Sequence, residues 1–465
     1  MEQSTPSKDK TLDVYQADVE GEKKNSLGQV LKTSMKEDTS VIDEKQMVGN
    51  GAEEGVEVLE TGRYALVVIF AAFMINFAAF GYVTVWGIFQ DFYLKQVFQT
   101  TSTVSISFVG SMAVAAEFGF SLFSGPIMSI FGYKVVLWGG CFFVSIGLLA
   151  ASWATEFWHL YVTQGLMFGI GASFLYMAAS SIPPLWFTKR QGLAMGIAAS
   201  GSGIGGLVLG PIVRKLLDTV GIAWALRVVA IFELVASSIA AILLRAPRRE
   251  TSSGEKVVDD GKKAKMLDFS VWKCKGFVLW TCSAALFTFG YLIPFSFVPA
   301  YSTFIGLTTT DGAIFVSVMS GCNAAGRIAI GFFADRVGRV NVAAICYFLS
   351  GLACLAVWMQ ASSYALVMVL SITYGLFSGV FFTLAAPITA KITGLAKLPS
   401  GLTFIFICNA FGALSSIPIG GALFEATNRT SYQSLIIFVG VVFMVGAALL
   451  TVLKLQLNSK FFAVV

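Results

Sequence analysis

A few ionisable side chains lie where the surrounding chain is almost wholly apolar, and these could do chemistry. Arg327 ends the stretch Asn323-Ala-Ala-Gly-Arg327, between two apolar runs. A guanidinium offers a planar fork that matches a carboxylate with two parallel hydrogen bonds. On a helix, Asn323 shares a face with Arg327 and can donate to the same carboxylate or orient the guanidinium. Ala324 and Gly326 beside it are expected to leave room for a ligand. An arginine in such surroundings is costly and by default functional. The plainer reading is a structural arginine, neutralised by a backbone carbonyl or an acid. Glu117 and Glu233 are the apolar-embedded acids, and either could accept a coupling proton. The plainer role, favoured for Glu233, is an ion pair with Arg227 or a salt bridge at a helix end. Asn76, Asn409 and Tyr291 are polar candidates for the same interior, or for helix-to-helix glue.

Enzyme chemistry has little support. There is one histidine, His159, and the seven cysteines are scattered at 141, 274, 282, 322, 346, 354 and 408 with no CxxC pair. No nucleophile with a base, metal-ligand set or cofactor motif emerges, so neither catalysis nor a cofactor is expected. Nothing suggests nucleic-acid binding, and oligomeric state leaves no mark.

The elements that position these residues are membrane helices. The 465-residue chain is 56% hydrophobic and 13% charged, against about 45–50% and 25% for soluble domains. With a mean hydropathy of +0.76, much of it must be solvated by lipid. Apolar runs of about 20 residues, the length that crosses a bilayer, are expected near 64–90, 103–124, 133–154, 157–181, 191–214 and 223–245. A second set is expected near 276–301, 311–334, 341–360, 364–388, 400–424 and 432–455. The organisation is a polar tail (1–62), a six-helix bundle (63–245), a charged linker (246–275), a second bundle (276–457) and a short tail (458–465). The first tail reads as disordered, and no apolar stretch near Met1 marks a cleavable signal peptide.

The two bundles repeat each other. Gly125-x6-Gly132 corresponds to Gly331-x6-Gly338, Gln191-Gly-Leu193 to Ser400-Gly-Leu402, and Pro211 to Pro418; by subtraction the offsets are 206, 209 and 207. A near-constant offset across three landmarks argues for duplicated halves. The even-numbered loops carry Lys134, Lys189, Arg190, Arg245, Arg248, Arg249, the linker lysines, Arg336, Arg339, Lys391 and Lys397; the odd loops carry only Lys95, Arg214, Lys215 and Arg429. The positive-inside rule therefore places both termini and the linker in the cytoplasm.

Two motifs carry a family resemblance. Gly331-Phe-Phe-Ala-Asp335-Arg336-Val-Gly338-Arg339, read as the loop between spans 8 and 9, resembles the GxxxDRxGR signature of the major facilitator superfamily. Gly338 permits a tight turn, and Asp335 and the arginines can pair with each other or with helix ends across the seam between the halves. The partner loop, Gly125 to Lys134, lacks the acid, so a weaker latch is expected there. Trp186-Phe-Thr-Lys189-Arg190-Gln-Gly-Leu-Ala-Met-Gly196, continuing through Gly201 to Gly205, resembles the fifth-span signature of the monocarboxylate transporter family, with Gln191 in place of an arginine. Bottom-up, Gly196, Gly201 and Gly205 let another helix approach closely. The family's first-span signature is degraded at Thr61–Leu66, Thr84 stands where some members have a lysine, and Asn323 replaces the aspartate of the family's Asp-x-x-x-Arg pair. The fungal-type branch shares the Asn-x-x-x-Arg pattern.

The resemblance implies an all-α fold with twelve transmembrane helices in two pseudo-symmetric bundles. It also implies a secondary active or facilitative carrier of a monocarboxylate or other organic anion, working by alternating access with or without proton coupling. Export of another organic solute, such as riboflavin or a secondary metabolite, is the alternative. A nutrient sensor on a carrier scaffold is the non-carrier reading, and solute flux into vesicles discriminates it. The expected membrane is the plasma membrane, or otherwise the vacuole or another internal membrane.

Overall fold

A computed structural model describes residues 63–247 and 267–458, apart from 100, 102, 188, 189 and 429. The N-terminal tail (1–62), most of the charged linker, Lys189, Arg429 and residues 459–465 lie outside the described residues.

Among the described residues the chain is helical throughout. The membrane-length helices are α1 (Tyr64–Phe92), α2 (Phe108–Phe131), α3 (Tyr133–Ala151) and α4 (Phe157–Leu185). The run Gln191–Leu243 follows, 53 residues long. At 1.5 Å per residue it would extend about 80 Å, far beyond a hydrocarbon core of about 30 Å. Gly221, with φ 75 and ψ 174, reverses the chain and divides the run into two crossings. These are α5 (191–220) and α6 (222–243). Then come α7 (Phe277–Phe304), α8 (Thr309–Val337), α9 (Arg339–Gln360), α10 (Tyr364–Thr393), α11 (Leu395–Glu425) and α12 (Gln433–Leu457). With the long run divided, twelve membrane-crossing helices result.

Local chemistry sets the ends. Thr308 caps α8: its hydroxyl accepts from the Asp311 N–H at 3.2 Å, and Asp311 accepts from the Thr308 N–H at 3.0 Å. This reciprocal pair satisfies two of the free donors at the helix start. His159 serves α4 the same way, its Nδ1 accepting from the Glu156 N–H at 3.2 Å. The expected loop Gly331–Arg339 is a correction: Gly331–Val337 are the last turns of α8, and Gly338 (φ 106, ψ 136) alone joins them to α9. A helix-capable composition continues to the glycine, and only there does the backbone need a positive φ.

Each half packs its own apolar core, but Phe118, Tyr176, Met177 and Met195 of the first half belong to the core of the second. These residues cross the seam. Elsewhere Trp138, Phe142, Ile231, Val235, Phe348 and Val441 are exposed on the helix exteriors, as a lipid-facing surface requires.

The seam is built on α5 running antiparallel to α8. A methyl group on Gly192 would meet the Gly331 carbonyl at 2.7 Å, and one on Gly203 would meet Ala324 Cβ at 2.7 Å. One on Gly196 would collide with the Arg327 carbonyl, and one on Gly331 with the Gly192 carbonyl. The other two signature glycines face α1: Gly201 packs on Phe73 and Phe77, and Gly205 on Phe77 and Gly81. One helix therefore presents one stripe of glycine to its own bundle and another to the opposite bundle.

Asp335 closes this seam at the face that bears the basic loops. Its two carboxylate oxygens accept the N–H groups of Gly192 and Leu193, each at 2.8 Å, and Arg339 Nε lies 3.8 Å away. A carboxylate on the free donors at a helix start is a charge-assisted contact. Arg190 and Arg336 point to solvent there, Arg336 resting on the Phe332 ring. Among the described residues, the repeat-related Ser129 bonds its own helix, at the Pro126 carbonyl. In its place, Ser121 and Thr403 exchange hydroxyl-to-carbonyl hydrogen bonds of 3.2 and 3.3 Å between α2 and α11.

Asp335→Asn keeps the shape and removes the charge, which should weaken the contact by about 1–2 kcal/mol, a factor of roughly 5–30 in the parting of the halves at this face. Alkylation of a cysteine placed at the seam residue Met195 should accelerate by that factor. An unchanged rate would show that Asp335 does not hold the face closed.

Candidate functional site

Arg327 lies midway along α8 on the seam and is 4% exposed. Its Nη1 donates to the Ala199 carbonyl at 2.8 Å and to the Ser202 hydroxyl, both on α5. Its Nη2 lies 3.4 Å from the Tyr291 hydroxyl, and the guanidinium carbon stands 4.7 Å from the centre of the Phe382 ring. No acid forms an ion pair with it among the described residues. The Nε is buried and has no hydrogen-bond partner. Nη1 is thus committed to the opposite half and Nη2 bonds Tyr291, so on the side edge formed by Nε and Nη2 only the Nε–H lacks a partner among the described residues.

Two sequence expectations need correcting. Gly326 and Ala324 do not make room beside Arg327, because Gly326 is pressed against the Leu376 carbonyl of α10 and Ala324 against Gly203 of α5. What lets the Arg327 and Asn323 side chains lie where they do is Gly379, which sequence reading missed and which packs directly on both: a methyl group there would lie 2.9 Å from Arg327 Nε and 2.9 Å from Asn323 Nδ2. Gly379 lies on a different helix, so no pattern local to Asn323–Arg327 announces it. Asn323 does not orient the guanidinium either. Its amide donates to the Gly375 carbonyl and the Ser378 hydroxyl of α10, both at 3.2 Å, and so ties α8 to α10.

The acids separate. Glu117 on α2 is 2% exposed, and its Oε1 has no partner. Tyr176 of α4 lies within electrostatic reach of Glu117 on one side and of Arg327 and Tyr291 on the other. Glu233 is fully buried in the first bundle with neither oxygen partnered. The expected Glu233–Arg227 pair does not form. Arg227 bonds the Ser152 hydroxyl at 3.2 Å and stacks on Trp153 and Trp224. A cation held over two indoles is already stabilised at the membrane edge and has no need of the acid.

Of the other candidates, Asn76 donates to the Ala72 carbonyl at 2.8 Å, within a widened turn of α1. Asn409 on α11 is buried with neither amide atom partnered. Among the described residues no cluster of three or more His, Cys, Asp or Glu side chains could hold a metal ion.

The profile of the Major Facilitator Superfamily matches residues 66–339 and 312–460. This chain belongs to that superfamily. Its relatives include the MFS transporter asaE of Aspergillus flavus, 28% identical over 387 residues, which covers 83% of this chain and 86% of the relative. The Fujikurins efflux protein of Gibberella fujikuroi is 28% identical over 400 residues, 86% of this chain and 84% of the relative. Among solved structures, the proton:xylose symporter XylE superposes with a TM-score of 0.66 at 14% identity, over 83% of this chain and 94% of that one. In this major facilitator the interior cation Arg327 and the carboxylate of Asp335 both lie on contacts between the halves.

Gly379→Ala tests the packing around the fork. Its methyl group must push aside Arg327 Nε or Asn323, an overpacking that costs about 1–3 kcal/mol. Gly87, with nothing within 4 Å of an added methyl group, is the control, and Gly87→Ala should lose nothing. Thermal unfolding in detergent should place only Gly379→Ala below the parent protein. Equal midpoints would mean that the space beside Arg327 is larger than described.

Proposed function

We propose that this major facilitator is a secondary carrier that exports a small organic anion by alternating access, with Arg327 holding the anionic group. The observation that carries this reading is Arg327 itself: a buried guanidinium on the seam, without an acid partner among the described residues, whose Nε–H is unpartnered and whose Nη2 is held only by Tyr291. A carboxylate engaging the Nε–Nη2 edge side-on would form two parallel charge-assisted hydrogen bonds and offset the desolvation of the cation. Because Nη1 is bonded to α5 and the side edge faces α10, occupancy of the fork bears on both halves at once. That gives a ligand a differential affinity for the two conformations, without which no ligand can shift them.

The direction of export rests on relatives named as efflux proteins, such as the Fujikurins efflux protein. The basic face is taken as cytoplasmic and the plasma membrane as the site of action, with an internal membrane such as the vacuole as the alternative. Uptake of a monocarboxylate is the second reading, favoured by the stretch Trp186–Gly205. Asp335, Arg336, Gly338, Arg339, Lys189 and Arg190 then belong to the gate at the basic face. Gly196, Gly201 and Gly205 belong to the surfaces along which the halves move. Glu117 carries the coupling proton, because it is the buried acid that, like Arg327, lies within electrostatic reach of Tyr176.

Arg327→Lys keeps the charge and loses the fork, so anion binding should fall about 10–100-fold, while Arg327→Ala should abolish it with normal membrane insertion. The measurement is surface amount together with binding of labelled organic acids. Full transport by a well-inserted Arg327→Ala protein would sink the reading.

Glu117→Gln should stop flux driven by a pH gradient across proteoliposomes yet preserve exchange of substrate for substrate, which needs no net proton movement. Unaltered pH dependence would remove Glu117 from the mechanism.

A further inference from the structure

The rings around Arg327 form one continuous series across the seam. Phe118 of α2 meets Phe406 of α11 at 5.6 Å between ring centres, and Phe406 stacks on Tyr176 of α4 at 5.1 Å. Tyr176 meets Phe80 of α1 at 4.8 Å, and Phe80 meets Phe382 of α10 at 6.3 Å. Phe382 meets Tyr291 of α7 at 5.2 Å, and the guanidinium of Arg327 lies over the Phe382 face. Three of these contacts join one half to the other: Phe118 with Phe406, Tyr176 with Phe406, and Phe80 with Phe382. Buried polar atoms without partners lie at both ends of the neighbourhood, at Arg327 Nε and Glu117 Oε1.

We infer that the substrate is a planar, conjugated organic acid, its anionic group on Arg327 and its ring system between the aromatic faces of the two halves. The inference rests on the organic-anion reading and deepens it. Ring contacts between the halves must break whenever the halves part, and the freed aromatic faces would then meet water. A flat conjugated ligand replaces those contacts ring for ring, so loaded conformations stay close in energy. A short aliphatic acid reaches Arg327 but leaves the ring faces unmatched. Packing alone asks only for apolar bulk at these positions. The cation over Phe382, with its unpartnered Nε–H, adds a charged anchor at one end of a ring series in which Tyr176 and Phe406 stack and the other pairs meet tilted or edge-on.

The test uses the full-length protein in lipid nanodiscs and three probes: 2-naphthoate, its fully saturated decahydro analogue, and the methyl ester of 2-naphthoate. Calorimetry should find 2-naphthoate about tenfold tighter than the saturated acid, as one aromatic pair implies. Phe382→Leu and Phe80→Leu should each reduce that preference to below about threefold, while Phe382→Tyr, which keeps the ring, should preserve it. Arg327→Lys should weaken both acids alike and leave their ratio unchanged. Equal binding of the flat and saturated acids by the parent protein would overturn the inference and leave the anion reading standing. A preference that survives both leucine substitutions would overturn it as well. Ester binding as tight as that of the free acid would instead sink the anion reading. Absence of binding by all three probes would count against both.

Discussion

The structure depends on the close antiparallel approach of α5 to α8. Two helices whose backbones touch need small residues along the contact, and Gly192, Gly196 and Gly203 supply them on α5, facing Gly331, Arg327 and Ala324. That approach brings Ala199 and Ser202 to the Arg327 guanidinium and the first N–H groups of α5 to Asp335. A bulky residue at Gly196 would separate both pairs at once. The interior anchor and the closing carboxylate are therefore two consequences of one packing geometry, spaced along one helix.

Polar groups buried away from water normally have partners, and thirteen of the described residues carry a buried side-chain atom that departs from that. Arg327 Nε, Glu117 Oε1 and the Asn409 amide have none, and all lie on helices that meet at the seam. Glu233 is also unpartnered but sits within the first bundle, beside Tyr82, away from the contacts between halves. The first group is placed where motion or a ligand can supply partners. Glu233 is packed among the helices of one bundle, away from those contacts. The two glutamates look alike in sequence, and only their three-dimensional neighbours tell them apart.

Much of the fold was legible because lipid imposes a simple rule. Each crossing needs about 20 apolar residues, and duplicated landmarks such as Gly132 and Gly338 fix the register of one half on the other. Boundaries were less legible at the basic face. The signature Gly331–Arg339 is polar enough to read as a loop, yet its residues continue α8 to the single non-helical position at Gly338. For the site, Arg327 stood out because charge is rare in an apolar run. Apart from Tyr291, its surroundings did not, because Gly379, Phe382 and Ser202 come from two other helices. Asn323 was misread for the same reason: spacing put it on Arg327's face, but the Gly375 carbonyl and the Ser378 hydroxyl on α10 claim its amide.

Duplication supplied two equivalent clasps at the basic face, and the sequence has kept the acid in one. Where α8 offers Asp335 to the start of α5, the matching turn of α2 offers Ser129, which turns back on its own helix. The α2–α11 contact relies instead on the neutral Ser121–Thr403 exchange, at 3.2 and 3.3 Å. Hydrogen bonds to a charged group contribute about 1.5–3 kcal/mol, against about 1 kcal/mol for neutral ones. The two sides of the gate thus differ in strength although their backbones are related by the repeat. The α2–α11 side carries the neutral contact beside Phe118 and Phe406, whereas the α5–α8 side carries the charge and the cation. On the alternating-access reading proposed above, the neutral, ring-lined α2–α11 side therefore offers the weaker polar resistance to parting, and the α5–α8 side, held by Asp335 and by Arg327, the stronger one.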